Sequence, residues 1–405
     1  MKNIIITPPI GIQQTYIGLT QVGNVHLLYD IEANEKMKNL SGAGTNTKKE
    51  HALELSEYEA LERIANSINC RSKVIDTYKN MNNQAVNLEK FPKLSTWEEG
   101  ININSDANQS YTWVECIDLM SGQKKFIPQN FVYLYGGKQC YGDRITNPIS
   151  TGAALHEDYI SATINGIYEV LERDAIALTW LLKRVKGEVT HLFNEEEKKV
   201  FHSSFLGEVK FYDVSTMDGV ITVCAHAKSQ HSKRCKNVLM FCSSTSFSDI
   251  KKKLKKELIS VMFSFYTNTF KYFKDTNVDL FNSVEQGGSF MARDFNDKSF
   301  DFFKNVPLSE IHYEKKKFTS KKEELKYLIN ILKESKMSLY VVDISCREVT
   351  EKGYRAVKVI IPEAQPISFV HRSRYLASER FINIAKQLYG ENYIENINHM
   401  PLAFS

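Results

Sequence analysis

Two neighbouring stretches decide the predicted fold: Ser150-Thr151-Gly152-Ala153-Ala154, and then Tyr168-Glu169-Val170-Leu171-Glu172-Arg173-Asp174-Ala175. The small residues predict a loop, and the apolar spacing that follows predicts an amphipathic helix over about 156–182. Glu169 and Glu172 are three positions apart and therefore share one face of this helix. Such paired carboxylates repel each other unless a cation lies between them. Magnesium suits that role, because it binds one or two carboxylates together with substrate phosphates.

The same order of features occurs 110 residues earlier, where Ser41-Gly42-Ala43-Gly44 precedes Glu59-Ala60-Leu61-Glu62-Arg63. A single Glu-x-x-Glu-Arg segment is usually a solvated, salt-bridged helix face. Two copies, each after a glycine-containing loop, indicate an internal duplication and favour a functional site. In this interpretation Arg63 and Arg173 bind a phosphate or hold a carboxylate by bidentate pairing.

The rest of the chain alternates strands and helices, which predicts a mixed α/β (α+β) fold. Residues 39–46 are predicted to be a flexible turn, and residues 281–307 are predicted to be irregular. Helices are predicted at about 48–69, 156–182, 248–268, 321–335 and 374–390. Strands are predicted within 2–30 and 111–135, the latter with a turn at 120–123, and at 209–214, 219–226, 238–242, 338–344 and 356–361.

Composition and charge exclude several classes of protein. The net charge of +4, from 52 basic and 48 acidic residues, gives no support for nucleic acid as a partner. The seven cysteines form no CxxC pair, so we expect ordinary buried thiols rather than a zinc site or a disulfide framework. No stretch has the length of a membrane span, and the N-terminus lacks the pattern of a signal peptide. We therefore expect a cytoplasmic protein without a membrane partner.

The two motifs resemble the signature of the YcaO family, in which a Ser/Asn/Gly-rich loop leads into a helix ending Glu-x-x-Glu-Arg-Asp-Ala. Further similar stretches are Trp113-Val114, Ile127-Pro128, 353–362, 365–367 and 371–381. The resemblance covers nearly the whole chain and implies a YcaO-like fold of one domain, 1–405, with the duplicated strand-loop-helix unit around a nucleotide site. Its expected subregions are 1–145, 146–275 and 276–405, of which the first two each contain one motif.

Within that family the chain resembles the D subunit of azoline-forming cyclodehydratases. The resemblance implies that ATP activates an amide oxygen of a precursor peptide by phosphorylation, so that Cys, Ser or Thr becomes a thiazoline or oxazoline. It implies that Glu59, Glu62, Glu169 and Glu172 bind Mg2+, and that Ser150, Arg63, Arg173, Glu59 and Glu169 bind the nucleotide. In azoline-forming members the free C-terminal carboxylate lies near the active site, which makes Ser405 the expected catalytic contributor.

Several positions depart from the family pattern. The first loop often reads Gly-Lys-Gly, where this chain has Ala43, and the second often has Asn where this chain has Thr151. A Glu and Gln pair usual on the third helix is matched by Ser260 and Phe263, with Glu257 one turn earlier. Among the histidines, His371 beside Arg372 and Arg374 is a candidate for contacting phosphate or peptide, although a packing role is favoured.

Three functional hypotheses stay open at the level of sequence. The first is the cyclodehydratase subunit, and the second is a YcaO enzyme that forms a thioamide or an amidine. The third is a catalytically degenerate scaffold subunit of a peptide-modifying complex, which the departures support. Expected partners are the precursor peptide, a separate leader-peptide-binding protein (an E1-like or C subunit), a dehydrogenase subunit and a second copy of the chain. A fused leader-binding module is not expected, since the YcaO-like part begins almost at the N-terminus.

Overall fold

The computed structural model of the protein describes residues 2–6, 16–22, 40–67, 69, 71–98, 105–135, 145–202, 207–266, 277–309 and 316–404. The strands are β1 Lys2–Ile6, β2 Tyr16–Gln21, β3 Ser41–Asn46, β4 Val74–Thr77, β5 Ser110–Asp118, β6 Lys124–Pro128, β7 Ala153–His156, β8 Gly187–Glu188, β9 Glu208–Asp213, β10 Ile221–Lys228, β11 Asn237–Ser244, β12 Tyr340–Asp343 and β13 Arg355–Ile360. The helices are α1 Lys49–Ala65, α2 Tyr78–Met81, α3 Tyr159–Leu182, α4 Glu195–Phe201, α5 Phe247–Tyr266, α6 Val284–Met291, α7 Lys321–Glu334, α8 Arg347–Thr350 and α9 Glu379–Tyr389.

The chain divides into two compact units that are not simple halves of the sequence. The first unit contains Met1–Phe91, Asn102–Val170 and Phe318–Pro362. The second contains Pro92–Ile101, Leu171–Lys317 and Glu363–Ser405. The division falls within α3, so that this one helix supplies Glu169 to the first unit and Glu172 to the second.

The first unit begins with a three-stranded antiparallel sheet, β1-β2-β3, on which α1 packs. The approach of β3 to the helix is close. A Cβ atom at Gly42 would lie 2.0 Å from the main-chain oxygen of Ser56. Glycine is therefore the residue that lets this strand lie directly against α1.

A second sheet of the first unit has the order β4-β5-β12-β13-β7, and β6 also pairs with β5. All of its pairings are antiparallel. Its apolar residues form a core with α1, in which Trp113, Tyr111, Ile127 and Leu61 are fully buried. Burial of large side chains such as these supplies most of the stabilising free energy of such a layer.

The second unit contains an antiparallel sheet in the order β11-β10-β9-β8. Helix α5 packs mainly on β11. Phe193 and Phe211 stack at a centroid separation of 3.7 Å, and Phe201 and Phe247 meet Phe193 edge to face. This aromatic cluster joins α4, β9 and the start of α5.

The predicted fold class is confirmed, since the structure is a mixed α/β fold with several sheets and helices. The predicted helices at 48–69, 156–182, 248–268, 321–335 and 374–390 correspond to α1, α3, α5, α7 and α9. Two predictions were wrong. Residues 41–46 form strand β3 rather than a flexible turn, because pairing with β2 organises the glycines. Residues 284–291 form α6, and 294–303 form a 3-10 helix, where irregular chain was expected.

The cysteines that the structure describes behave as predicted. Cys116, Cys224, Cys235, Cys242 and Cys346 are buried free thiols. Burial raises the pKa of Cys116 to about 12 and the pKa of Cys224 well above its usual value, so these thiols stay protonated. Cys70 and Cys140 lie outside the described residues. Among the described helices, none combines the length and apolar composition that crossing a membrane requires.

Gly152 lies between the residues Ser150-Thr151 and strand β7 of the first unit. Its φ is +86°, and a Cβ atom there would lie 2.2 Å from the main-chain oxygen of Val359. We expect Gly152→Ala to lower the free energy of unfolding by more than about 3 kcal/mol, since a left-handed backbone and overpacking both oppose the methyl group. Urea unfolding measures this change.

Gly353→Ala is the matched control for that substitution. Gly353 has φ +83°, but nothing lies within 4 Å of the place that a Cβ atom would occupy there. Gly353→Ala should therefore lower the free energy of unfolding by about 1 kcal/mol, the cost of a left-handed backbone alone. Equal losses of stability in the two variants would show that the contact with Val359 does not constrain residue 152.

Candidate functional site

The first pair of motif carboxylates lies on α1 and belongs to the first unit. Glu59 accepts a hydrogen bond from the main-chain N–H of Ala43 at 2.7 Å and forms an ion pair with Arg63 at 2.5 Å. The other arm of the Arg63 guanidinium donates to the main-chain oxygen of Ser41 at 2.6 Å. Glu59 and Arg63 thus fasten α1 to β3.

The corresponding acid of α3 is held in a similar way. Glu169 accepts a hydrogen bond from the main-chain N–H of Gly152 at 3.0 Å. Glu62, in turn, accepts a hydrogen bond from the main-chain N–H of Leu155 on β7. In both copies, therefore, main-chain N–H groups of a small-residue strand or loop fix the first glutamate of the motif. This supports the predicted duplication.

Glu62 carries the strongest electrostatic perturbation of this cluster. Burial raises its pKa to about 8, and the negative charges of Glu169 and Glu59 act in the same direction. Arg63 and the Leu155 N–H oppose the rise in pKa. Three carboxylates that influence one another in this way favour the binding of a positive charge between them.

Lys358 supplies one such charge. It is almost fully buried on β13 and donates a hydrogen bond to the main-chain oxygen of Ile149 at 2.6 Å. Burial lowers its pKa to about 8, whereas Glu169 and Glu62 act to raise it. The ammonium group therefore lies within the field of both carboxylates.

Lys358 was not predicted as a site residue, although the sequence contains a signal for it. A single lysine interrupts the apolar run Ala356-Val357-Lys358-Val359-Ile360-Ile361. A charge in a strand that is otherwise buried requires a partner, and it marks a candidate site residue. Its partners could not be named from sequence, because they come from α1 and α3.

Glu172 lies one turn after Glu169 on α3 and belongs to the second unit. It accepts a hydrogen bond from the main-chain N–H of Ser243 on β11 at 2.9 Å. Burial raises its pKa to about 7, Arg173 and Lys253 act to lower it, and Glu257 acts to raise it. Helix α5 thus places Lys253 and Glu257 near this carboxylate, and neither residue was predicted as part of the site.

Arg173 and Asp174, the next two residues of the motif, have different surroundings within the second unit. The guanidinium of Arg173 lies over the ring of Phe404, 4.5 Å from its centroid. Asp174 is fully buried and accepts two hydrogen bonds from Arg380, at 2.6 and 2.7 Å. It also accepts from the main-chain N–H of Gln365 and the hydroxyl of Thr216. Asp174 thereby ties α3 to α9 and to the chain that precedes it.

The remaining predicted site residues are Ser150 and Ser405, and two further positions, Ser260 and Phe263, depart from the family pattern. Ser150 is exposed, and its main-chain oxygen accepts a hydrogen bond from Ala153. Ser405 lies outside the described residues, as do the side chains of Ser260 and Phe263 on α5.

The structure brings Glu59, Glu62 and Glu169 together in the first unit. Their convergence with Glu172 on one cation stays a prediction.

The motif carboxylates can bind magnesium only together with other ligands that complete its coordination. Among the described residues, no group of three or more acidic, histidine or cysteine side chains is arranged to hold a metal ion by itself. Magnesium usually keeps water and substrate phosphates as ligands and takes one or two carboxylates from the protein. The perturbed Glu62 and Glu172 fit that requirement, since a cation would relieve the repulsion that each experiences from neighbouring acids.

The chain matches a family model over residues 43–365, and that model is described as YcaO cyclodehydratase, ATP- and Mg2+-binding. The protein therefore belongs to the YcaO cyclodehydratase family. A comparison with curated protein sequences gave no significant match. The predicted family is thus confirmed by the model match.

Solved structures share the fold at low sequence identity. A heterocyclase in complex with substrate and cofactor has a TM-score of 0.74 and 15% identity, covering 100% of this chain and 55% of its own. YcaO from Methanopyrus kandleri, bound with AMPPCP and Mg2+, has a TM-score of 0.62 and 14% identity, covering 90% of this chain and 86% of its own. The E. coli microcin synthetase McbBCD complex has a TM-score of 0.59 and 15% identity, covering 89% and 87%. The chain spans about half the length of the heterocyclase.

The raised pKa of Glu62 predicts how stability depends on pH in the absence of nucleotide and metal. A carboxyl group whose folded pKa of about 8 exceeds its usual value of 4.5 binds its proton more tightly in the folded protein. The free energy of unfolding should therefore fall as the pH rises from about 5 to about 8, by up to about 1.4 kcal/mol for each step of one pH unit. The lowered pKa of Lys358 acts with the opposite sign, so its own contribution to stability recovers as the pH rises from about 8 towards 10.5, the usual pKa of lysine.

Glu62→Gln should reduce the slope by the contribution of one proton, since glutamine has no proton to lose, whereas Glu172, whose pKa is raised to about 7, keeps its own contribution. Urea unfolding at several pH values measures the slope. Glu50→Gln, an exposed position on the same helix, is the control and should keep the wild-type slope. An unchanged slope in Glu62→Gln would contradict the pKa assignment.

Proposed function

We propose that the protein is the ATP-dependent subunit of a peptide cyclodehydratase, which converts Cys, Ser or Thr of a precursor peptide into thiazoline or oxazoline. The observation that carries the proposal is the set of motif carboxylates anchored by main-chain N–H groups, with Glu62 and Glu172 strongly perturbed. Such perturbed acids are typical of functional sites rather than of solvated helix faces. Family membership and the peptide-modifying enzymes that share the fold support the same conclusion.

In this proposal the carboxylates bind Mg2+ and thereby the phosphates of ATP. Glu62, Glu169 and Glu172 are the principal ligands, because Glu59 is already engaged by Arg63 and Ala43. Arg173 and Lys253 are the cations that act on Glu172, and they suit phosphate oxygens or the charge of the metal-bound nucleotide. ATP supplies a phosphoryl group that makes an amide oxygen a good leaving group.

The substrate chemistry places simple demands on the protein. A Cys, Ser or Thr side chain loses its proton and adds to the preceding carbonyl carbon. The former carbonyl oxygen receives the γ-phosphoryl group of ATP, which releases ADP, and inorganic phosphate then leaves as the C=N bond forms. Nitrogen loses its proton in that last step. The protein must therefore position the peptide and neutralise phosphate charge, which are the dominant effects in phosphoryl transfer.

The peptide substrate and the partners belong to the same proposal. The fold is shared with a heterocyclase bound to its substrate and with the microcin synthetase McbBCD complex. We therefore expect a leader-binding protein and a dehydrogenase as partners, with the nucleotide site on this chain. Formation of a thioamide or an amidine would use the same site with an external nucleophile. The mass of a co-expressed precursor peptide separates these reactions, since cyclodehydration removes one water per modified residue.

A catalytically inactive scaffold is the second candidate function. The observation that favours it is Lys358, whose ammonium already offsets part of the carboxylate charge without any metal. Calorimetry with ATP and Mg2+ discriminates the two, because the scaffold would give no binding heat, either alone or with its partners.

Glu172→Gln tests the nucleotide site directly. We expect ATP affinity in the presence of Mg2+ to fall by at least about tenfold, the scale of one lost charged contact. Glu196→Gln, an exposed acid of the second unit, is the control and should bind ATP as the wild type does. Wild-type ATP affinity and wild-type peptide modification in Glu172→Gln would refute the assignment of this carboxylate.

A further inference from the structure

Lys358 lies on an apolar face of the second sheet of the first unit. It alternates along β13 with Ala356 and Ile360, which belong to the core that this sheet forms with α1. Lys358 is only 2% exposed. An ammonium group in such a layer is costly unless negative charge and hydrogen-bond acceptors lie close to it. The position of this lysine therefore indicates a function within the site.

The pairing of β13 with β7 places Lys358 beside the points at which the main chain holds the carboxylates. Lys358 pairs with the first residue of β7. The residue before it, Gly152, donates its main-chain N–H to Glu169 at 3.0 Å. Leu155, the third residue of β7, donates its main-chain N–H to Glu62. Both carboxylates are thus fixed within two residues of the position that Lys358 faces across the strand pair.

The ammonium group provides Glu62 and Glu169 with a positive charge that comes from the protein itself. Its Nζ atom donates to the main-chain oxygen of Ile149 at 2.6 Å, so its position is fixed beside the chain that leads to Gly152. The negative charges of Glu62 and Glu169 act to raise the pKa of Lys358 against the effect of burial, as an attractive interaction does. These two acids therefore share a cation without any bound metal.

A fixed positive charge acts in opposite directions on the two forms in which magnesium can reach these acids. It repels a free divalent cation. It attracts the complex of that cation with a nucleoside triphosphate, because the phosphates give the complex a net negative charge. Inside a protein such interactions are several times stronger than in water, so one buried charge has a measurable effect on both equilibria.

We propose that Lys358 makes the site selective for the complex of Mg2+ with a nucleotide over free Mg2+. This inference rests on the proposed function, which supplies the identity of the metal and of the nucleotide. Lys358 weakens the binding of free metal to Glu62 and Glu169, so that the metal enters together with the phosphates. Lys358 is thereby a specificity-determining residue of the site rather than a ligand of the metal.

Metal binding to the full-length, nucleotide-free protein tests this selectivity without turnover. The probe is Mn2+, which prefers the same oxygen ligands as Mg2+ and whose unbound fraction is measured by EPR. We expect Lys358→Met to bind Mn2+ at least about tenfold more tightly than the wild type, because a repelling charge has been removed. Damage to the fold would weaken metal binding, so a gain in affinity identifies the effect of charge. Saturable Mn2+ binding to the wild type at low micromolar concentrations would contradict the proposal without any substitution.

The same variant should respond in the opposite direction to the nucleotide complex. Calorimetry with an equimolar mixture of Mg2+ and a non-hydrolysable ATP analogue measures the affinity for the complex in the absence of excess metal. Lys358→Met should bind this complex at least about tenfold more weakly than the wild type. Mn2+ affinity that is unchanged or weaker, or unchanged affinity for the complex, would overturn the proposal.

Two further variants make the comparison independent of the packing of one side chain. Lys358→Gln retains an N–H donor for Ile149 but has no charge, so it should match Lys358→Met in both titrations. Lys125→Met is the control, because Lys125 is half-buried and also donates to a main-chain oxygen, that of Asn83. Its strand, β6, is separated from β13 by β5 and β12, so this variant should behave as the wild type does. If Lys358→Met does not fold, wild-type behaviour of folded Lys358→Gln would overturn the proposal.

The two titrations also separate failure of this inference from failure of the proposed function. Absence of nucleotide binding in the wild type, alone and with its partners, would remove the proposed function. The Mn2+ titration uses no nucleotide, so it would still measure the effect of the charge of Lys358. Unchanged Mn2+ affinity in both Lys358 variants, with nucleotide binding intact in the wild type, would remove the inference alone.

Discussion

The structure depends on how the protein compensates the free-energy cost of removing carboxylates from water. Glu62 and Glu169 are acidic groups on two helices of the first unit, and each accepts a main-chain N–H from a strand or loop of small residues. A carboxylate in such a place requires hydrogen bonds and a nearby positive charge, since its desolvation is costly. Lys358 provides that charge from the centre of an apolar strand. Gly42 and Gly152 allow the close backbone approaches near these carboxylates. The pairing of β7 with β13 and the packing of α1 on β3 keep the carboxylates, the main-chain N–H groups and Lys358 in position.

Helix α3 carries three acids with three different functions in the structure. Glu169 is fixed by Gly152 in the first unit, and Glu172 is fixed by Ser243 in the second. Asp174 binds Arg380 and Gln365, which anchors the following part of the helix. Asp174 is fully buried and both of its carboxylate oxygens accept hydrogen bonds, so it fixes the orientation of α3 rather than offering an open ligand position.

The sequence by itself determined the family, the duplicated motif and the helices α1, α3, α5, α7 and α9. Each of these depends on local spacing: acids three residues apart share a helix face, and apolar residues recur with the helical period. Only the tertiary structure decided the partners of the acids. Lys358, Ser243 and Lys253 are distant in sequence from the carboxylates that they influence, and β3 is ordered by its pairing with β2 rather than by its own glycine-rich composition. Long-range contacts of this kind leave no period in the sequence, so they become visible only when the chain has folded.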